Sequence, residues 1–116
     1  MDRKLFDAQG HWITRERYQE IHRLDKMLVD AGIPHIMTHL HDGWQIIYPK
    51  DGEQRVMDAV EHHFSYGVEE DLLEIMGLLT PDEAKDDSVV GYLTAENVFS
   101  RIKEHWEQNK TEVANG

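Results

Sequence analysis

The side chains with most chemical potential in this sequence are its eight histidines and its many carboxylates. His35, His39 and His41 fall at every second or fourth position of one short stretch, and His62 and His63 stand side by side further on. Neutral imidazole ligates zinc, copper and nickel. His39, His41 and His62 are therefore candidate metal ligands, provided the fold brings them together. The spacing His-x-His is common by chance, and no His-Glu-x-x-His run is present. Half-exposed histidines on a sheet are the plainer reading, and no cofactor is predicted. Imidazoles that titrate near about 6.5 also offer a pH response, with simple loss of solubility near the isoelectric point as its ordinary alternative.

Hydrolytic chemistry finds little support. Ser65, Ser88 and Ser100 lie in no Gly-x-Ser-x-Gly elbow. His22 and Asp25 are three apart in a helical stretch, the spacing of a surface pair. No glycine-rich nucleotide motif occurs. Backbone donors at Ser65-Tyr66-Gly67 would suit an anion, but Glu69, Glu70 and Asp71 follow at once and repel it. The chain is not expected to be an enzyme.

The carboxylates are more informative. The chain has 116 residues, 23 acids and 12 bases, for a formal charge of -11. Most of the imbalance lies between residues 69 and 88. Glu69, Glu70, Asp71, Glu74, Asp82, Glu83, Asp86 and Asp87 stand there against Lys85 alone. Such a stretch repels nucleic acid and anionic lipid. It attracts a basic protein surface and speeds encounter with it. These eight acids, with Trp44 beside a predicted hairpin turn, are the candidate partner-binding residues. A solvated face that only confers solubility is the alternative.

The elements that must position these residues form one domain over 1–116, with 1–13 irregular or briefly extended and the end of the chain, 110–116, frayed. At 40% apolar residues the chain can bury a core. Without cysteine it has no disulfide or thiolate site. No apolar run is long enough to span a bilayer, and Met1 to Phe6 do not read as a signal peptide. A cytoplasmic protein is expected.

Thr14 is placed to cap a helix over 15–31, in which Tyr18, Ile21, Leu24, Leu28 and Ala31 recur at spacings of three and four, with Gly32 and Pro34 ending it. Asp42-Gly43 and Asp51-Gly52 read as hairpin turns joining strands 34–41, 44–50 and 53–64. The third also fits a helical stripe through Val56, Met57, Val60 and Phe64. If Asp42-Gly43 is a two-residue turn, His41 faces Trp44 and His39 faces Ile46. The acids that open the run 69–79 and the apolar residues after them predict a helix. Thr80-Pro81-Asp82-Glu83 is a capping box for a short helix 81–86. Residues 88–93 connect, and Thr94 caps a last helix carrying Val98, Phe99, Ile102 and Trp106. The expected class is α+β: an N-terminal helix, a three-stranded antiparallel meander and two to three C-terminal helices. The meander leaves two edges, through which the chain could pair with a second copy.

Three runs carry a resemblance. They are His62-His63-Phe64-Ser65-Tyr66-Gly67, Asp71 to Leu79, and Ser88-Val89-Val90-Gly91-Tyr92-Leu93-Thr94-Ala95-Glu96-Asn97-Val98-Phe99. With Gly32-Ile33-Pro34 and Gly43 to Pro49, they resemble small uncharacterised proteins encoded in phages and prophages of anaerobic gut bacteria. The resemblance covers about residues 15–107. It implies no known activity or catalytic residue. It implies an accessory phage gene, a class in which some members counter host defence. The expected function is therefore binding in the host cytoplasm. The acidic stretch would occupy a basic, nucleic-acid-binding surface of a host protein, such as a CRISPR effector. The alternatives are a sponge for a signalling nucleotide, held by His39, His41, Trp44 and Arg55, and a structural or regulatory homo-oligomer.

Overall fold

The computed structural model describes the backbone of Leu5–Phe6, Trp12–Ile13 and residues 18–115, and the side chains of residues 18–109. Two short strands, β1 (Leu5–Phe6) and β2 (Trp12–Ile13), pair antiparallel. Helix α1 (Gln19–Asp30) follows. Next come strands β3 (Ile36–Leu40), β4 (Gly43–Tyr48), β5 (Met57–Glu61) and β6 (Leu73–Met76). Helix α2 (Pro81–Asp86), strand β7 (Val89–Leu93) and helix α3 (Ala95–Asn115) complete the chain.

Strands β3 to β7 form one antiparallel sheet in sequence order. The α+β class holds, but the expected three-stranded meander has five strands. The run 69–79 is not a helix. Its acids lie on a short 3-10 turn, Val68–Glu70, and its apolar part is β6. Within β6, Leu73 and Ile75 are buried while Met76 is exposed, the period of two that a strand imposes. Residues 88–93, expected as a connection, are β7, joined to β6 through an irregularity between Leu73 and Ile75. The segment 53–64 resolves as a strand only over Met57–Glu61. Asp51-Gly52 does lie in the hairpin connection between β4 and β5, but not as a two-residue turn: the loop runs over 49–56, and Asp51 starts the 3-10 turn Gly52–Gln54 within it by accepting from Gly52 N–H.

One face of the sheet carries Ile46, Tyr48, Met57, Ala59, Leu73 and Ile75 into the core. Ile21, Leu24 and Leu28 of α1 and Ala95, Val98 and Ile102 of α3 meet them there. Each isoleucine, leucine, valine or methionine among them, fully buried, contributes roughly 1.5–3 kcal/mol, and each alanine less. Helix α1 ends as its sequence predicts. Gly32 is left-handed (φ 70°), Ile33 N–H bonds Leu28 O, and Gly32 N–H bonds Val29 O. Its start differs from expectation. Tyr18, left-handed (φ 61°), precedes Gln19, and the expected Thr14 cap lies outside the described residues. The Thr80 capping box with Pro81 is formed as predicted. Thr94 caps α3 by accepting from Asn97 N–H. The α3 backbone stays helical to Asn115, past the expected fraying at 110.

Two buried carboxylates tie the helices to this frame. Glu61 on β5 accepts from Ile21 N–H in the first turn of α1. Glu20 on α1 accepts from Ala95 N–H at the start of α3. Each satisfies a donor that a helix start leaves without an intrahelical partner.

Candidate functional site

The turn between β3 and β4 is His41-Asp42, since Leu40 pairs with Gly43. The pairing is thus displaced from the one predicted: His39, not His41, faces Trp44. The shift keeps side-chain parity, so His39 and Trp44 share a face with Met37 and Ile46. His39 stacks on the Trp44 indole with ring centroids 3.7 Å apart, and His22 of α1 meets its edge at 5.1 Å. Trp44 is therefore half-buried against the body.

Asp42 clamps this end of the sheet. Its carboxylate accepts from the Tyr18 hydroxyl and from His63 N–H at 3.0 Å, and lies 2.7 Å from His63 Nδ1. Burial alone would raise its pKa. The hydrogen bonds from Tyr18 and His63 outweigh that and hold the carboxyl well below the usual range. One side chain thereby joins the start of α1, the β3–β4 turn and the loop between β5 and β6.

That loop, residues 62–72, is fastened throughout. Ser65 Oγ donates to His62 O at 2.8 Å and accepts from His62 N–H at 3.1 Å. Phe64 N–H donates to His62 Nδ1, and Tyr66 N–H to Glu74 Oε1. Tyr66 O accepts from Tyr92 N–H of β7. Two glycines permit this closeness. A Cβ on Gly91 would lie 2.3 Å from Tyr66 Cβ, and one on Gly67 would lie 2.9 Å from Tyr92 N. While the backbone is locked inward, Phe64, Tyr66 and Tyr92 stay exposed. Tyr18, His41, Asp71 and Tyr92, all left-handed without being glycine, lie at this same end. Such backbone costs of order 1–3 kcal/mol each and gathers where surroundings impose it.

The predicted metal ligands are only partly brought together. His41 and His62 have ring centroids 4.7 Å apart, but His39 is turned onto Trp44. Among the described residues no three histidines or carboxylates are placed to hold a metal ion. His62 is buried, and that burial, followed by the nearby His41, lowers its pKa. His63 does not sit on a strand; it stacks on Phe64 at 3.7 Å. The expected helix pair separates: Asp25 bonds His35 Nε2 at 2.7 Å, while His22 meets Trp44.

The predicted acidic stretch is divided by topology. Glu69, Glu70 and Asp71 precede β6, and Asp82, Glu83, Asp86 and Asp87 follow it, so β6 separates the two groups to opposite ends of the sheet. Glu74, within β6, receives Tyr66 N–H. Glu83 forms a two-pronged pair with Arg101 at 2.8 and 2.9 Å. The Arg101 bonds, then Thr80 N–H, bring its pKa down to about 2. Asp82 stands 3.8 Å from Lys85. Glu69, Glu70, Asp86 and Asp87 are exposed and join no lysine or arginine among the described residues.

The nucleotide pocket suggested by His39, His41, Trp44 and Arg55 does not assemble. Arg55 precedes β5 at the far end of the sheet and pairs with Asp51 and Asp58. An open groove of about 460 Å³ runs along α3 past Leu78 and Thr80. Its Arg101 is committed to Glu83, Asn97 and Leu78 O, and its His105 to Tyr48 and Asn109. Sequence reasoning missed the aromatic corner. Phe64 and Tyr66 sit two apart in a loop, and Tyr92 joins them only through the β6–β7 pairing.

Comparison with family models, curated proteins and solved structures finds no match to this chain. No helix among the described residues is long and apolar enough to cross a membrane.

Proposed function

We propose that the chain is a binding protein whose exposed carboxylates occupy a basic surface of a partner protein. The observation that carries this is the set Glu69, Glu70, Asp86 and Asp87, which faces water with no cation of its own among the described residues. Carboxylates so placed substitute for phosphates on a lysine- and arginine-rich surface. The finer form of the proposal follows the phage resemblance: an accessory protein in the host cytoplasm that blocks the nucleic-acid-binding surface of a defence complex. The partition of the acids between two ends supports occupation by one end at a time rather than by a single sheet of charge. Binding of a basic polypeptide by the intact protein, abolished by charge reversal at Glu69, Glu70, Asp82 and Asp87, is the expected result. Unaltered binding by that variant would sink the reading.

A further inference from the structure

We infer that the docking face is the corner built by the 62–72 loop and β7, and that its partner is an arginine-bearing protein segment. This rests on the reading of the chain as a binder of basic proteins and says where and how it binds.

Of the six large apolar residues exposed among the described ones, three stand at this corner: Phe64 at 66%, Tyr66 at 55% and Tyr92 at 60%. An exposed aromatic on a mobile loop would mean little. Here the Tyr66–Tyr92 backbone bond, the close approaches at Gly67 and Gly91 and the Asp42 clamp hold the loop in place. Phe64 is further supported by His63 at 3.7 Å and by His41 at 5.2 Å. Rigid aromatic groups lose little conformational freedom on binding. Phe64 and Tyr66 stand two residues apart, and Tyr66 O bonds Tyr92 N–H, so the three exposed side chains branch from neighbouring backbone, and exposed apolar groups so placed suit an interaction site.

Charge selects the occupant. Glu69 and Glu70 lie on the 3-10 turn of the same loop, exposed. A guanidinium stacks on aromatic faces and pairs with carboxylates in one geometry, whereas the compact, strongly hydrated ammonium of lysine gains less from the rings. Bases of a single-stranded nucleic acid would also stack, but its phosphates would meet Glu69 and Glu70. A second copy would bring those same two acids of each chain together at a formal charge of -11 apiece.

The test uses two synthetic peptides of equal length and charge, one arginine–serine and one lysine–serine, titrated by calorimetry. The variants are Phe64→Ala/Tyr66→Ala/Tyr92→Ala at the corner and Val29→Ala, an exposed apolar residue near the end of α1, away from it, with melting curves to check that each is folded. The intact protein should prefer the arginine peptide by about tenfold. The corner variant should lose that preference, and the Val29 variant should keep it. Equal affinity for both peptides, unchanged in the corner variant, would overturn the corner while leaving the carboxylate reading intact. No binding of either peptide by the intact protein would remove both. A dimer in light scattering that the corner variant dissolves would give the face to a second copy and overturn the inference.

Discussion

Glu61 Oε1 lies 3.0 Å from the backbone nitrogen of Ile21, so a side chain of the sheet caps the first turn of α1 from within the core. Glu61 has no exposure to solvent. Glu61→Ala leaves that donor buried without this acceptor and opens a cavity, and should cost about 3 kcal/mol. Glu61→Gln keeps an oxygen acceptor and should cost about 1 kcal/mol. Urea unfolding of the two variants gives the comparison; equal losses would mean that the Ile21 bond contributes nothing beyond packing.

The Glu83–Arg101 pair holds α2 against α3 through two bonds. Arg101→Ala should destabilise by about 1 kcal/mol at neutral pH, the scale of a partly exposed pair. The sign with pH follows from the lowered pKa. The carboxyl titrates at about 2 when folded and at 4.5 when unperturbed. Its contribution is therefore complete above pH 4.5 and lost as pH falls from there toward 2. The stability gap between wild type and Arg101→Ala should close over that interval in chemical denaturation.

His62 works in the opposite chemical sense. Burial, and then His41 4.7 Å away, lower its pKa from 6.5. On acidification the unfolded chain takes up this proton first, so stability from His62 is full above 6.5 and fades as pH falls below it. Glu74 and Asp42 act against this shift and His63 with it. His41→Ala should raise the His62 midpoint in an NMR titration. An unmoved midpoint would assign the shift to burial alone.

Gly91→Ala tests the lock between loop and strand. The added carbon would stand 2.3 Å from Tyr66 Cβ and 2.8 Å from Tyr66 O, so one chain must move. A loss of about 1–3 kcal/mol is expected, as for overpacking. The Tyr92 amide should exchange with deuterium much faster than in the wild type. Unchanged protection would mean that the loop yields without cost.

The helices flanking the sheet were legible because their signals are local. The α1 stripe from Ile21 to Leu28, the stop at Gly32 and the Thr80–Glu83 box each read correctly within a few residues. Strands β6 and β7 were not. Leu72 to Leu79 is a short apolar run, equally compatible with helix and strand on periodicity, and only pairing with Val60, Ala59 and Asp58 decides it. Gly91 hides the β-forming Val89, Val90 and Tyr92 behind a residue that strands disfavour. Glu69, Glu70, Asp82, Asp86 and Asp87 are exposed charge as their sequence suggests, but the partition of the acids was not legible, because it depends on the same misread strand. The aromatic corner was beyond local reading, since Tyr66 and Tyr92 become neighbours through the sheet.

The brevity of β6 has an electrostatic consequence. Four residues in a strand span about 13 Å. Fields between exposed charges decay over about 8 Å in physiological electrolyte and about 30 Å in dilute buffer. In dilute buffer a distant polycation meets one uniformly negative particle. In the electrolyte of a cell it meets two poles that no longer sense each other, and each must hold a partner by its own local chemistry.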